Sequence, residues 1–267
     1  MHWIRLSVFT LIFALLSSLC FADEFPYRKV YPDVLVIELA DLKAGYDDGS
    51  FMMVDVRSDL EFDTIHPKGA HHLSLFTLHF AKELQSLSAH YLDKKIALYC
   101  NGILCTKSYK ATEIAMKAGM KNVYVFDAGV PGWANAYPAE TLLVGKKITD
   151  PEKQLIPKSE LAKVTVDFET FKKKAAAANA VVIDARDPRQ RTKSLPGFEK
   201  ALHVPLDKLI KNIISQDRMK DKQLVIFDQV GKQVIWLMYY LENKGYKNYY
   251  FLKGGATSVL KEQVYRD

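Results

Sequence analysis

Cysteine is scarce in this chain: 267 residues contain three, at positions 20, 100 and 105. That is too few for a disulfide scaffold, so the fold has to rest on an apolar core, and 49% hydrophobic residues can supply one. An apolar run long enough to span a membrane is also missing. Residues 6–19 form a stretch of 14 apolar and small residues, short of the ~20 that a spanning helix requires. No block of basic charge is present either. Lys and Arg number 37 against 31 Asp and Glu, and the resulting +6 is spread along the chain, which suits small anionic ligands and excludes the basic patch of a nucleic-acid binder. With 25% charged residues beside that apolar content, a disordered or collagen-like chain is excluded as well.

The N-terminal stretch has a targeting pattern. Residues 1–5 are a short basic start, 6–19 an apolar core, and Cys20-Phe21-Ala22 puts small residues at the two positions a signal peptidase reads. Residues 1–22 therefore read as a cleaved secretory signal, the alternative being an uncleaved anchor; Leu19 before Cys20 spoils a lipoprotein site. After cleavage no stable membrane span is expected, and the chain is periplasmic or otherwise secreted. It keeps Cys100 and Cys105, a single pair that points to chemistry at one place.

Internal similarity organises the rest. Val54-Asp55-Val56-Arg57 recurs as Ile183-Asp184-Ala185-Arg186 at an offset of 129, and Leu39 and Leu42 match Phe168 and Phe171 at the same offset. Ala70-His71-His72-Leu73-Ser74-Leu75 matches Ala201-Leu202-His203-Val204-Pro205-Leu206. Gly119-Met120-Lys121-Asn122-Val123-Tyr124 matches Gly245-Tyr246-Lys247-Asn248-Tyr249-Tyr250, and Gly129 and Gly255 follow the leading glycines at the same separation. Two copies of one domain follow, over 32–140 and 163–267, joined by a Lys- and Pro-containing linker over 141–162.

Within the first copy, residues 52–56, 96–100 and 123–126 read as buried strands, while 80–87 and 107–118 carry helical spacing that Gly119 stops. The second copy repeats this with strands over 181–185, 224–228 and 249–252 and a helix over 234–244. The alternation predicts the α/β class, each copy a parallel sheet flanked by helices on both faces. In such sheets ligands sit at the carboxyl ends of strands, and Cys100 stands at one.

The segment from Tyr99-Cys100 through Asn101-Gly102-Ile103-Leu104-Cys105-Thr106 to Lys107-Ser108 runs from a strand through a loop into a helix. A cysteine there faces the positive end of the helix dipole and the loop N–H groups, both of which favour thiolate and can hold an anionic sulfur species. Helix N-termini take a cysteine from ~8.5 into a range of about 3.5–7.5, so a reactive nucleophile is expected. The plain alternative is a buried strand residue, as free cysteines often are.

Taken in order, Asp55-x-Arg57, Glu61-Phe62, His66-x-x-Gly69-Ala70, Tyr99-Cys100, Ala118-Gly119-x-Lys121-Asn122-Val123 and Gly129-x-x-x-Trp133 resemble the rhodanese, or sulfurtransferase, domain, and the second copy fits in part. The resemblance covers nearly all of the chain beyond residue 22. It implies a cysteine that takes sulfane sulfur from a small anionic donor such as thiosulfate as a persulfide, then passes it to a thiol or protein acceptor. Cys100 matches that cysteine, with Asn101, Gly102, Ile103, Leu104, Cys105, Thr106 and Lys107 as the substrate-binding loop; no cofactor or metal is implied.

The departures from the pattern are informative. From Cys100 to Gly119 is 19 positions, but from Asp228 to Gly245 only 17, so the first copy carries a loop two residues longer. It reads Cys-x-Gly-x-x-Cys-x-x-Ser, similar to a subgroup of rhodanese-like proteins with a second cysteine, and it lacks the arginine common in the shorter loop. Related phosphatases also have a longer loop but need an arginine to clamp phosphoryl oxygens, and none lies between Cys100 and Ser108. In the second copy Asp228 takes the nucleophile's position; a carboxylate cannot hold a persulfide, so this copy is expected to be inert.

Cys105 has two readings: it resolves a persulfide or sulfenate on Cys100 as a reversible disulfide, or it packs its sulfur under the loop. The first of these opens the alternative function of a thiol-redox or non-catalytic binding module. Asp55 and Arg57 recur as Asp184 and Arg186 in the degenerate copy, so they read as an ion pair bracing the loop rather than as catalytic groups. His66, His71 and His72 read as solvated or capping residues, not as a metal site. Trp133 reads as packing, and lysines 172–174 as a solvated helix face.

Overall fold

A computed structural model describes residues 25–260; the signal read over 1–22 lies outside the described residues. Twelve strands are found among the described residues: β1 Phe51–Asp55, β2 Ile65–Pro67, β3 His71–His72, β4 Lys95–Tyr99, β5 Val123–Phe126, β6 Thr141–Leu143, β7 Lys146–Lys147, β8 Thr165–Val166, β9 Ala180–Asp184, β10 Leu202–His203, β11 Gln223–Phe227 and β12 Tyr249–Leu252. The chain divides into two compact units. One comprises residues 25–57 and Gly69–Trp133, the other Ser58–Lys68 and residues 134–260.

The first unit is built on a parallel sheet of order β3-β1-β4-β5. Side chains alternate across a strand, so Met52 and Val54 with Ile96 and Leu98 face one way. There they pack against Phe80 and Leu84 of the helix Phe80–Ser88 and against Ala111 and Ala115 of the helix Lys107–Lys117. Phe51 and Met53 face the other way, where the helix Leu39–Asp47 packs on β1 with Leu42 fully buried. With apolar residues on both faces, β1 is buried along its whole length, which is why it reads in sequence as a continuous rather than an alternating run.

The second unit repeats the plan with a five-stranded parallel sheet of order β10-β9-β11-β12-β8. Ile183, Leu224, Ile226 and Phe251 meet Leu237 and Leu241 of the helix Gln233–Asn243 on one face, while Val225, Phe227 and Leu252 meet Phe171 of the helix Phe168–Ala175 on the other. The registers of the two sheets are equivalent: Asp55 lies opposite Tyr99, and Asp184 opposite Phe227. Cys100 and Asp228, the next residues along, therefore hold the same position in each fold.

Residues 141–162, read as a linker, are ordered. Within the second unit β6 pairs antiparallel with β2 and with β7, and helices Pro151–Gln154 and Lys158–Val164 follow. Leu143 pairs with Lys146, leaving a two-residue turn in which Val144 and Gly145 both take positive φ, 48° and 74°. Such a turn matches strand twist but is normally signalled by Asn-Gly or Gly-Gly. A β-branched valine at its first position hides the hairpin from the sequence, and its partner β2 is more than seventy residues away.

Candidate functional site

β4 delivers Cys100 to the carboxyl edge of the first unit's sheet, and the next six residues lead into the helix Lys107–Lys117. The cysteine is almost wholly enclosed, 1% exposed, and Cys105 is half-buried. The two are joined by a disulfide. Cys100 Sγ also lies 3.3 Å from the Ser108 hydroxyl and 3.4 Å from the Cys105 carbonyl oxygen. Ser108 is fully buried in the first turn of the helix, and its hydroxyl is the side-chain donor best placed to stabilise charge on that sulfur.

The loop's shape has identifiable causes. Cys105 N–H donates to the Gly102 carbonyl at 2.8 Å, closing a turn that brings the second sulfur back over the first. Val130 N–H donates to the Cys100 carbonyl at 3.0 Å, tying the loop to the start of the helix Gly129–Ala136. Gly129 permits this approach: its φ is +58°, and a Cβ there would run into the Cys100 carbonyl and the Gly102 backbone. Gly255 holds the same role in the second unit, at φ +58° against Asp228 and Gly231. The repeated glycine seen in the sequence is thus a steric requirement of the loop.

Beneath the loop sits the Asp55–Arg57 pair, both 0% exposed. Arg57 donates from Nε to Asp55 Oδ1 at 2.9 Å and from Nη2 to Oδ2 at 2.7 Å, and its backbone N–H reaches Oδ1 at 2.9 Å. Its remaining Nη1 donates to Asn101 Oδ1 at 3.1 Å, linking the ion pair to the residue next to Cys100. His72 Nε2 lies 3.0 Å from the Arg57 carbonyl, and His66 Nδ1 lies 2.6 Å from the Phe62 carbonyl, so both rings are engaged with the backbone. His71 is half-buried, and burial together with Lys94 pushes its pKa down. No group of three or more His, Cys, Asp or Glu side chains among the described residues is placed to hold a metal.

The remaining loop residues divide. Ile103 and Leu104 are exposed, Thr106 occupies the N-cap position, and Lys107 Nζ sits 5.1 Å above the exposed Phe76 ring. Two contacts are absent from the sequence reading: the Ser108 hydroxyl on Cys100, and Arg57 on Asn101. The only signal for the first is that Ser108 lies in the first turn of the helix that follows, where side chains point back toward its N-terminus.

The second unit shows what the shorter loop does. Asp228, 1% exposed, accepts from the backbone N–H of Gly231, of Gln233 at 2.6 Å and of Val234 at 3.2 Å. Its own carboxylate fills the N–H cradle at the head of the helix Gln233–Asn243. Burial raises the Asp228 pKa above the ordinary carboxylate range, against the opposing pull of those donors. Arg186 again pairs with Asp184, but its remaining bonds go to the carbonyls of Gln190 and Lys193, not to the loop after β11.

A sequence profile of the rhodanese-like domain matches the chain twice, over residues 38–136 and 167–262. No curated protein matches it. Among solved structures, a thiosulfate sulfurtransferase from Pseudomonas aeruginosa is 21% identical with a TM-score of 0.37, over 86% of this chain and 43% of that one, so this chain spans less than half of that protein's length. A human single-domain sulfurtransferase is 19% identical with a TM-score of 0.32, over 38% of this chain and 95% of that one. A Helicobacter pylori protein solved in solution is 21% identical with a TM-score of 0.30, over 36% and 80%. The paired profile matches fall on the two repeats and their two parallel sheets, and the chain belongs to the rhodanese-like domain family, with the domain in tandem.

Proposed function

We propose that the protein is an exported sulfurtransferase that carries sulfane sulfur as a persulfide on Cys100. The observation that carries this reading is the setting of the Cys100 sulfur: enclosed at a strand end, ahead of a helix N-terminus, with the Ser108 hydroxyl 3.3 Å away. In the reduced protein the Cys100 thiolate attacks the outer sulfur of thiosulfate, the S–S bond breaks, and sulfite leaves with the electron pair. The persulfide's terminal sulfur is then taken by a thiophilic acceptor, which restores the thiolate. The helix dipole and the Ser108 hydroxyl stabilise negative charge on Cys100 before attack and after release. Exposed Ile103, Leu104 and Phe76 around the loop suit an acceptor thiol carried on a protein surface.

The second unit is assigned no sulfur chemistry, because Asp228 occupies the cradle that a sulfur anion would need. Export rests on residues 1–22, and the mass of the mature N-terminus after secretion tests it. Cyanolysis of thiosulfate by the reduced protein tests the transfer: wild type should form thiocyanate and Cys100→Ser should not, and equal rates would refute the reading. A second reading, a thiol-redox module without sulfur transfer, is favoured by one observation, the Cys100–Cys105 disulfide itself. That reading expects no persulfide from any sulfur donor.

A further inference from the structure

We propose that Cys105 resolves the Cys100 persulfide from within the loop, so that the first unit reduces thiosulfate to sulfite and sulfide at the expense of a dithiol. The inference rests on the persulfide chemistry assigned to Cys100 above. It makes the second cysteine part of the reaction and the disulfide one of its stages.

Geometry carries the step. The Cys105 sulfur reaches bonding contact with the inner sulfur, Cys100 Sγ, with the loop backbone held in its turn by the Cys105 N–H to Gly102 carbonyl bond. Attack on that inner sulfur is the one that expels the outer atom. In the first step, the Cys100 thiolate takes the outer sulfur of thiosulfate and sulfite departs. In the second, the Cys105 thiolate bonds to Cys100 Sγ, the Sγ–Sδ bond breaks, and the outer sulfur leaves with the electron pair, taking one proton to become hydrosulfide. The two cysteines together lose two electrons and the outer sulfur gains two. Hydrosulfide is a weaker base than a cysteine thiolate, and the lower-pKa thiol leaves faster.

Burial decides which nucleophile gets there. Cys100 is 1% exposed, so an external thiol meets its inner sulfur poorly, whereas Cys105 sits in the same loop with an intramolecular advantage. Of the two cysteines in the disulfide, Cys105 is the more accessible, half-buried where Cys100 is enclosed. An external dithiol, or a thiol-disulfide oxidoreductase, attacks there, and Cys100 departs as the thiolate beside Ser108 and the helix N-terminus. A second thiol of the same reductant closes its own disulfide and frees Cys105. The two extra residues of the loop thus convert a transfer site that needs an outside acceptor into one that carries its own.

The test is a single turnover with the full chain carrying Cys20→Ser, reduced with a phosphine, freed of reductant without air, and given thiosulfate and no thiol. Equal amounts of sulfite and sulfide should appear, and the intact mass should fall by two hydrogens. With Cys105→Ser added, and equally with Cys105→Ala, sulfite should appear without sulfide, and the chain should keep the mass of one extra sulfur. A persulfide retained by the chain with Cys105 intact, with no sulfide released, overturns the inference while leaving the Cys100 reading in place. If the Cys105 variants take up no sulfur and release no sulfite, both fall together.

Discussion

Arg57 and Arg186 provide an internal control, because the same buried ion pair lies under a cysteine loop in one unit and under an aspartate loop in the other. Removing Arg57 leaves the Asp55 carboxylate, 0% exposed, with the 2.9 Å bond from the residue-57 backbone N–H as its remaining link to that position. An uncompensated buried charge of this kind costs about 3–5 kcal/mol, so Arg57→Met should destabilise its unit by that much. Arg186→Met should cost the other unit less, because Asp184, 1% exposed, keeps His203 Nδ1 3.3 Å from its Oδ2. Replacing both members of a pair, as in Asp55→Asn with Arg57→Met, should recover most of the loss. At the loop the units differ in what the arginine holds: Arg57 Nη1 reaches Asn101, and Arg186 donates to the Gln190 and Lys193 carbonyls. Asn101→Ala removes that bond. At about 0.5–1.5 kcal/mol it should slow sulfur transfer roughly two- to twelvefold while the protein stays folded. Urea denaturation gives the stabilities, and thiocyanate formation by reduced protein gives the rates. The reasoning fails if Arg186→Met slows transfer as much as Asn101→Ala does, or if Arg57→Met costs less than about 1 kcal/mol.

Asp228 receives backbone N–H donors on both oxygens, and an amide has only one acceptor, so Asp228→Asn should leave a donor facing its NH2 and cost about 1–3 kcal/mol near neutral pH. Because burial raises the Asp228 pKa, the folded state holds the proton more tightly than the unfolded chain; the resulting stability is complete below the unfolded value of ~4 and lost as pH rises through the folded one. The gap between wild type and Asp228→Asn should therefore narrow over that window, and a gap constant with pH would contradict the assignment. Val144→Asn should raise the melting temperature, corresponding to about 1 kcal/mol, since asparagine tolerates the φ of 48° that valine resists; an unchanged or lower melting temperature would count against the strained turn. Gly129→Ala should cost more than about 2 kcal/mol and depress sulfur transfer, because its Cβ displaces the Cys100 carbonyl and the Gly102 backbone. Gly255→Ala should carry a similar stability cost, visible in denaturation, with transfer left intact.

Much of this protein is local enough to be legible in one dimension. Buried strands and amphipathic helices repeat at a fixed offset, and equal offsets mean equal registers, so the α/β class, the two copies and the shared position of Cys100 and Asp228 all follow from residue order. The Gly129–Gly255 match is of the same kind, since a residue type that only a close backbone approach demands keeps its place. What the order of residues left open depends on distances across the fold. Whether Cys105 packs beneath the loop or bonds to Cys100 is set by a turn held by one backbone hydrogen bond. The Ser108 hydroxyl reaches sulfur, and Arg57 reaches Asn101, because a helix and a neighbouring strand are brought beneath one loop. Residues 141–162 become strand and helix because β6 finds β2, a pairing between segments far apart in the chain whose turn carries a valine no local rule would choose. Spacing along the chain determined which residues stand at equivalent places, and the tertiary structure decided which of their atoms touch, because contacts between distant segments leave no period in the sequence.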